Sequence, residues 1–232
     1  MRILATGILS DFKGRIFLQQ DSPTSLVPVN STLVAGSTPV GVLDRAFREE
    51  TGLVVMPVRL TGIFYDGNVP DGELTFCFRC TMRGGNLTVP DGGRPAGFFD
   101  YPPLPDGLSP KFRQPVESAL HHPGGPPDLM LAGGGIAQRL GRLFGSGELP
   151  AAGAQWRVGV RVATEPAKGA VEWMISDQDE GDTSTLVVEN EPPWAAAKRL
   201  LGTRHQSLQL RGVDIDAVKS ALTLVFFPNI NE

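Results

Sequence analysis

The stretch GSTPVGVLDRAFREETGL, residues 36–53, carries the clearest helix signal in the chain. Thr38 has a side chain that is favoured at helix N-caps, and Pro39 follows at the first helical position. Apolar residues then recur at helical spacing on one face, and Gly52 suits the left-handed residue that commonly ends a helix. The stretch therefore predicts a helix between Pro39 and Gly52, followed directly by a β-rich segment.

The end of this helix carries two adjacent carboxylates, Glu49 and Glu50. Their side chains diverge by about 100° around the helix axis, yet both can reach one hard cation lying over the C-terminal half of the helix. Mg²⁺ favours oxygen ligands and keeps several waters, so few carboxylates suffice when a substrate diphosphate completes its shell. Arg45 lies one turn before Glu49 and can orient it by a charge-assisted hydrogen bond. The alternative is a pair of solvated surface charges.

The composition of the 232-residue chain indicates two compact domains. Hydrophobic residues make up 41%, enough for a sizeable core, and the 28 Gly and 20 Pro residues predict many turns and a linker. The net charge is −4 without a Lys/Arg cluster, which argues against a general nucleic-acid surface. No apolar run is long enough for a membrane span and the N-terminal stretch has no signal-peptide pattern, so a cytoplasmic protein is expected.

The two cysteines, Cys77 and Cys80, lie in the strand-like stretch ELTFCFRCTM. Residues three apart in a strand face opposite sides, which disfavours a disulfide between them. A lone C-x-x-C supplies only two ligands, too few for a zinc site. Both are expected to be reduced thiols.

The order of strand and helix signals in the first half recurs in the second half. The stretch LVVENEPPWAAAKRLL parallels LVAGSTPVGVLDRAF without a gap and places Pro192 on Pro39. Identities are few, so two explanations remain: a divergent internal duplication, or two unrelated α/β segments that have the same order of strands and helix. The predicted divisions are a first domain at 1–122, a Gly/Pro-rich linker with a short helix at 123–154, and a second domain at 155–232.

The stretch 36–53 resembles the signature of the Nudix hydrolase superfamily, G-x5-E-x7-R-E-U-x-E-E-x-G-U, in which U is apolar. The matching positions are Arg45, Phe47, Glu49, Glu50, Gly52 and Leu53. The later stretch GFFDYPPLPDGLSPKFRQPVESAL is similar to the end of ADP-ribose-type members, so the resemblance covers about residues 1–122. It implies a Nudix-like α/β/α sandwich with a mixed sheet and, with the duplication, two tandem copies.

The resemblance also implies an activity and a ligand class. The implied activity is Mg²⁺- or Mn²⁺-dependent cleavage of a pyrophosphate bond in a small nucleotide or nucleotide-sugar ligand, a nucleoside diphosphate linked to another moiety. Glu49 and Glu50 would be the metal ligands, and Arg45 would hold Glu49.

Several positions depart from the signature. They are Ser31 in place of a glycine, Ser37 and Ala46 in place of glutamates, and Gly92 in place of a common loop carboxylate. Loss of these acids should weaken metal binding and remove a general base. Asp91 and Glu73 are nearby acids that could substitute for them. A binding or regulatory protein with little chemistry is therefore the alternative to a hydrolase.

The second half keeps no such signature, since Glu49 and Glu50 correspond there to Gly202 and Thr203. It is expected to serve as a structural partner that makes a pseudo-dimer within one chain; a homodimer is the other arrangement. The tryptophans all lie in this half and are expected in core or interdomain contacts; they are Trp156, Trp173 and Trp194.

Overall fold

The structure is a computed structural model. It describes residues 1–69, 72–125, 127–131, 156–162, 183–186, 192–201, 208–216 and 218–228. The short helix expected within 123–154 lies outside the described residues, as do Gly202, Thr203 and Trp173.

The first unit is built around a five-stranded mixed sheet of order β4-β1-β6-β5-β8. These strands are β1 (Arg2–Leu9), β4 (Val29–Thr32), β5 (Leu53–Asp66), β6 (Glu73–Gly85) and β8 (Asp128–Leu131). Strands β1 and β6 run parallel, as do β5 and β8, whereas β1–β4 and β5–β6 are antiparallel.

Two helices cover opposite faces of this sheet. The buried side chains of α1 (Pro39–Thr51) belong to one core cluster, and those of α2 (Pro110–His121) belong to another. Successive side chains of a strand alternate between faces, so Phe76 packs on the α1 side and Cys77 on the α2 side. The layers form an α/β/α sandwich, and the predicted fold class is confirmed.

Strand β8 corrects the predicted domain boundary at residue 122. It pairs in parallel with β5, from Gly62 opposite Asp128 to Tyr65 opposite Leu131. Residues 128–131 are therefore part of the first sheet and not of a linker. No strand was predicted there, because β8 has only four residues and lies within Gly/Pro-rich sequence.

Helix α1 has the ends that its sequence predicts. The side chain of Thr38 accepts a hydrogen bond from the Gly41 amide at 3.1 Å, and Pro39 opens the helix. Gly52 has a φ of 69°, and its amide donates to the carbonyl of Arg48. Ser109 precedes α2 as a capping serine would, but its side chain makes no capping hydrogen bond.

A three-stranded antiparallel sheet of order β3-β2-β7 lies beside the first. Its strands are β2 (Ile16–Ser22), β3 (Ser25–Val27) and β7 (Ala96–Phe99). The turn from β1 into β2 contains Gly14 at a φ of 80°, and the Asp11 carboxylate accepts from the amides of Lys13 and Arg15. This sheet brings β2 and the residues before β7 to the end of α1.

The second unit contains a four-stranded sheet of order β10-β9-β12-β11 and helix α3 (Pro193–Leu201). Its strands are β9 (Arg157–Val162), β10 (Thr183–Leu186), β11 (Leu208–Asp216) and β12 (Ala221–Pro228). Strand order and pairing senses match those of β4-β1-β6-β5, and α3 follows β10 as α1 follows β4.

The observed start of α3 shows that the predicted alignment of α3 with α1 was off by one residue. Pro193, not Pro192, opens the helix as Pro39 does. The buried pair Ala196–Ala197 then falls on the buried pair Val42–Leu43. The helix faces agree only in this register, because a shift of one residue turns a helix by about 100°.

Trp156 joins the two units. It is 2% exposed, its amide donates to the Met1 carbonyl at 2.9 Å, and its indole N–H donates to the Leu33 carbonyl at 3.4 Å. The Trp194 ring meets Tyr65 edge-on, with centroids 6.4 Å apart. The sequence predicted core or interdomain contacts for the tryptophans, and the contacts of Trp156 and Trp194 confirm this.

Both cysteines are free, as expected, and both are buried. Burial raises the pKa of the Cys77 thiol to about 12, and burial also raises the pKa of Cys80. Both thiols are therefore protonated near neutral pH and unreactive. Among the described helices, none is long and apolar enough to cross a membrane.

Candidate functional site

Glu50, at the end of α1, lies where three elements meet. Its Oε2 accepts a hydrogen bond from Gln19 Nε2 at 3.1 Å and one from Arg94 Nη2 at 2.8 Å. Gln19 comes from β2, and Arg94 comes from the segment before β7. The Glu50 side chain is 32% exposed, so the carboxylate stands at the rim of the core and faces solvent on one side.

Arg94 is placed by the pairing of β2 with β7. Ala96 lies opposite Gln19 in the ladder, and the Gln20 amide donates to the Pro95 carbonyl at 2.7 Å. The guanidinium also approaches Asp21, with Nη1 3.4 Å from Oδ1. Arg94 thus bridges two carboxylates. We call the group Gln19, Asp21, Glu50 and Arg94 the Glu50 cluster.

Gln19 is a buried polar residue with one end of its amide unpaired. The side chain is 0% exposed, and Oε1 accepts no hydrogen bond within the described part of the chain. An unsatisfied buried acceptor destabilises a fold by about 1–3 kcal/mol, so such atoms are rare and have a functional or structural reason. This carbonyl oxygen belongs to the same amide whose N–H donates to Glu50.

Glu49 and Arg45 do not make the hydrogen bond that the sequence predicts. Both residues are exposed, and neither side chain forms a hydrogen bond or ion pair with any described residue. On this helix Arg48 instead pairs with Asp44, at 3.0 Å. Exposed ion pairs gain little free energy against the entropy of two long side chains, so helix spacing alone does not ensure the contact.

The two acids proposed as substitutes, Glu73 and Asp91, have different surroundings. Glu73 is 0% exposed and accepts from both Arg2 and Lys111, so its carboxylate is already bound on both oxygens. Asp91 is exposed in the loop before β7. The geometric substitution expected of Glu73 is therefore wrong: a buried carboxylate with two cationic partners is not free to bind a third.

Two of the neutral residues that replace signature glutamates, Ser37 and Ala46, are nearly inaccessible to solvent. Ser37 is 9% exposed, and its hydroxyl donates to the Val34 carbonyl at 2.5 Å, which closes the turn before α1. Ala46 is 6% exposed on the buried face of α1, one turn before Glu50. Neither residue offers an anionic oxygen.

The described residues at the end of α1 offer oxygen ligands for at most one hydrated hard cation. No three His, Cys, Asp or Glu side chains come together within the residues that the structure describes. The oxygens near the end of α1 are the carboxylates of Glu50 and Glu49 and the unpaired Oε1 of Gln19. Mg²⁺ and Mn²⁺ accept such oxygens, and a cation that keeps its waters needs few of them.

Sequence reasoning missed the partners of Glu50. Gln19 is 31 residues away and Arg94 is 44 residues away, so no local pattern connects them. One signal existed for Arg94, which lies two residues after Gly92, the position where the resemblance led us to expect a carboxylate. The loop supplies a cationic side chain to Glu50 instead.

Comparisons with known proteins concern the fold. No protein-family model matches the chain, and no curated protein does. An ADP-ribose pyrophosphatase from Streptococcus suis 89-1591 is 17% identical over 56% of this chain and 98% of that chain, with a TM-score of 0.44. A UDP-X diphosphatase is 19% identical over 55% of this chain and 66% of that chain, with a TM-score of 0.47. A Nudix hydrolase from Nitrosomonas europaea is 14% identical over 56% and 77%, with a TM-score of 0.44.

Proposed function

We propose that the chain is a Nudix-type hydrolase acting on a nucleoside diphosphate linked to another moiety, with the C-terminal end of α1 as the diphosphate site. The observation that carries the proposal is the hydrogen bond from Nε2 of buried Gln19 to Glu50, which leaves Oε1 of the same amide unpaired. The matched signature residues at 45–53 support it. ADP-ribose and UDP-linked compounds are the first substrates to test, because the structures of similar fold include enzymes named for them.

One divalent cation, Mg²⁺ or Mn²⁺, is part of this proposal. Glu50, Glu49 and Gln19 Oε1 would hold it, and it would neutralise charge on the diphosphate and polarise the phosphorus–oxygen bonds. Ala46 leaves the helix without the acid that would share this task, so turnover is expected to be slow. The proposed protein contribution is an oxygen donor set at the end of α1 that orients one cation and the ligand.

A second candidate is a binding protein without turnover. The specific observation that favours it is the ion pair of Arg94 with Glu50, at 2.8 Å. A carboxylate held by a guanidinium is a poor metal ligand, and the neutral residues at Ser37 and Ala46 do not compensate. In that case the same site would hold the nucleotide ligand without cleaving it.

The test compares two acids of the same helix. Glu50→Gln removes the central carboxylate, and Asp44→Asn removes an acid that is also paired with an arginine but lies outside the cluster. Hydrolysis of ADP-ribose and UDP-glucose would be assayed with Mg²⁺ or Mn²⁺, and binding by thermal shift. The hydrolase predicts cation-dependent turnover that falls about 10²-fold or more in Glu50→Gln and stays within twofold in Asp44→Asn. Binding without turnover selects the second candidate, and absence of both rejects the site.

The second unit has a separate proposed role. Its repeated strand order supports a divergent second copy that packs on the first as a fused partner, with Trp156 at the contact. A pseudo-dimer within one chain needs no further copy, so light scattering should give the mass of one chain, 24.8 kDa. A mass of two chains would instead support a homodimer.

A further inference from the structure

We infer that Arg94 is a built-in competitor for the cation position of the Glu50 cluster and must leave Glu50 before a divalent cation binds there. The inference rests on the site of the proposed function but concerns how that site is regulated. It predicts a closed state, with the guanidinium on Glu50, and an open state, in which phosphate oxygens of the ligand hold the guanidinium.

The charges of the cluster support a competition. Asp21 and Glu50 are both within ion-pair distance of Arg94, at 3.4 and 2.8 Å, and Glu49 follows on the same helix end. Among the described residues, no other cation pairs with Asp21 or Glu50. Without Arg94 the cluster would present neighbouring carboxylates to one another, and like charges at short distance favour uptake of a cation.

Gln19 gives an independent indication that the cluster is built for a cation. Its amide presents N–H to Glu50 in the closed state and leaves the carbonyl oxygen unpaired, although the side chain is 0% exposed. A 180° rotation of the amide exchanges its two ends. The rotation would be unfavourable while Glu50 is the only neighbour, and favourable once a cation lies between the carboxylate and the amide oxygen.

Movement of Arg94 requires only its side chain. The backbone on both sides is fixed, because the Thr88 amide donates to the Thr51 carbonyl at 2.9 Å and the Gln20 amide donates to Pro95 at 2.7 Å. The Arg94 side chain itself is 36% exposed. A guanidinium pairs with phosphate through two parallel hydrogen bonds, so a phosphate-bearing ligand can draw it from the carboxylates. Cation and ligand would then bind with positive coupling.

The experiment measures Mn²⁺ binding to the full chain without any nucleotide, by the electron paramagnetic resonance signal of free Mn²⁺. Arg94→Met should bind Mn²⁺ at least about tenfold more tightly than the wild-type chain, since it exposes the carboxylates. Arg48→Met is the matched control, because Arg48 also pairs with a carboxylate and its loss changes the net charge equally. It should bind as the wild type does.

Two further variants separate competition from a merely structural role. The double variant Arg94→Met/Glu50→Gln should lose the gain in Mn²⁺ affinity. Arg94→Lys should have a Mn²⁺ affinity between those of the wild type and Arg94→Met, because lysine keeps the positive charge but lacks the paired N–H donors of the guanidinium. Equal Mn²⁺ affinity in wild type and Arg94→Met overturns the inference, as does an equal gain in Arg48→Met. Turnover is not read in this experiment, so a chain without hydrolase activity would reject the proposed function and leave this result interpretable.

Discussion

Two carboxylates of the first unit, Glu73 and Glu50, are each bound by basic side chains from distant segments, but in different surroundings. Glu73 is 0% exposed and is held by Arg2 from the start of β1 and by Lys111 from α2. Glu50 is 32% exposed and is held by one arginine and by a neutral amide. Both clusters join distant segments, so the number of connected elements does not distinguish them.

Burial distinguishes the clusters. A carboxylate removed from water depends on its partners, because losing one leaves a charge that the interior cannot solvate. A partly exposed carboxylate can exchange its partner for water or for another cation at little loss. The Glu73 cluster is therefore a structural connection between the sheet and α2, whereas the Glu50 cluster is exchangeable and suits a binding site.

The largest expected effect is on Glu73. Glu73→Gln should lower the free energy of unfolding by about 3 kcal/mol, the lower end for a broken buried ion pair, because Arg2 and Lys111 can still reach water. Urea denaturation measures the change. Glu50→Gln serves as the partner measurement and should lower it by less than about 1 kcal/mol. Equal losses in the two variants would remove the distinction between the clusters.

A second prediction concerns the contact between Gly52, at the end of α1, and the loop that carries Arg94. Gly52 has a φ of 69°, and an added Cβ would lie 2.3 Å from Thr88 Oγ1 and 2.6 Å from the Asn86 carbonyl. Gly52→Ala should lower stability by about 2 kcal/mol in urea denaturation, because the clash adds to a backbone strain of about 1 kcal/mol.

Gly92 supplies the control for that prediction. It lies in the same loop with a φ of 76° and has nothing within 4 Å of an added Cβ. Gly92→Ala should lower stability by about 1 kcal/mol from strain alone, again measured in urea. If the two alanine variants are equally stable, the packing of α1 against the loop does not contribute.

A third prediction uses salt to separate the clusters. Arg94→Met should lower stability by less than about 1 kcal/mol, because the Arg94 pairs are partly exposed. The difference from wild type should vanish at 1 M salt, where the Debye length is about 3 Å. The deficit of Glu73→Gln should persist at that salt concentration. Thermal denaturation at low and high salt tests both, and a salt-independent loss in Arg94→Met would show that its contacts are effectively buried.

The smallest stability effect is expected for Gln19. Gln19→Leu removes one hydrogen bond to Glu50 and also removes the unpaired Oε1, so the two changes should offset to within about 1 kcal/mol. In the Arg94→Met background the same substitution should weaken Mn²⁺ binding. Unchanged Mn²⁺ affinity there would exclude the amide oxygen as a ligand.

Local signals predicted part of this structure well. The N-cap at Thr38, the entry at Pro39 and the left-handed end at Gly52 all act within one helical turn, and each has its predicted role. The α/β/α layers predicted with the help of this stretch are also present. Strand β8 was missed, because its pairing with β5 is a contact between segments about 66 residues apart (Gly62 and Asp128) and four residues carry too little pattern.

The candidate site likewise has a part set by local sequence and a part set by contacts between distant segments. The sequence by itself determined helix α1, its two ends and the position of Glu50 on the last turn, because helix propensity, caps and periodicity depend on neighbours in the chain. Only the tertiary structure decided what Glu50 contacts. Strand pairing between β2 and β7 brought Gln19 and Arg94 to it, and burial left one amide oxygen unpaired. The charge at the site is therefore set by residues that no spacing rule connects.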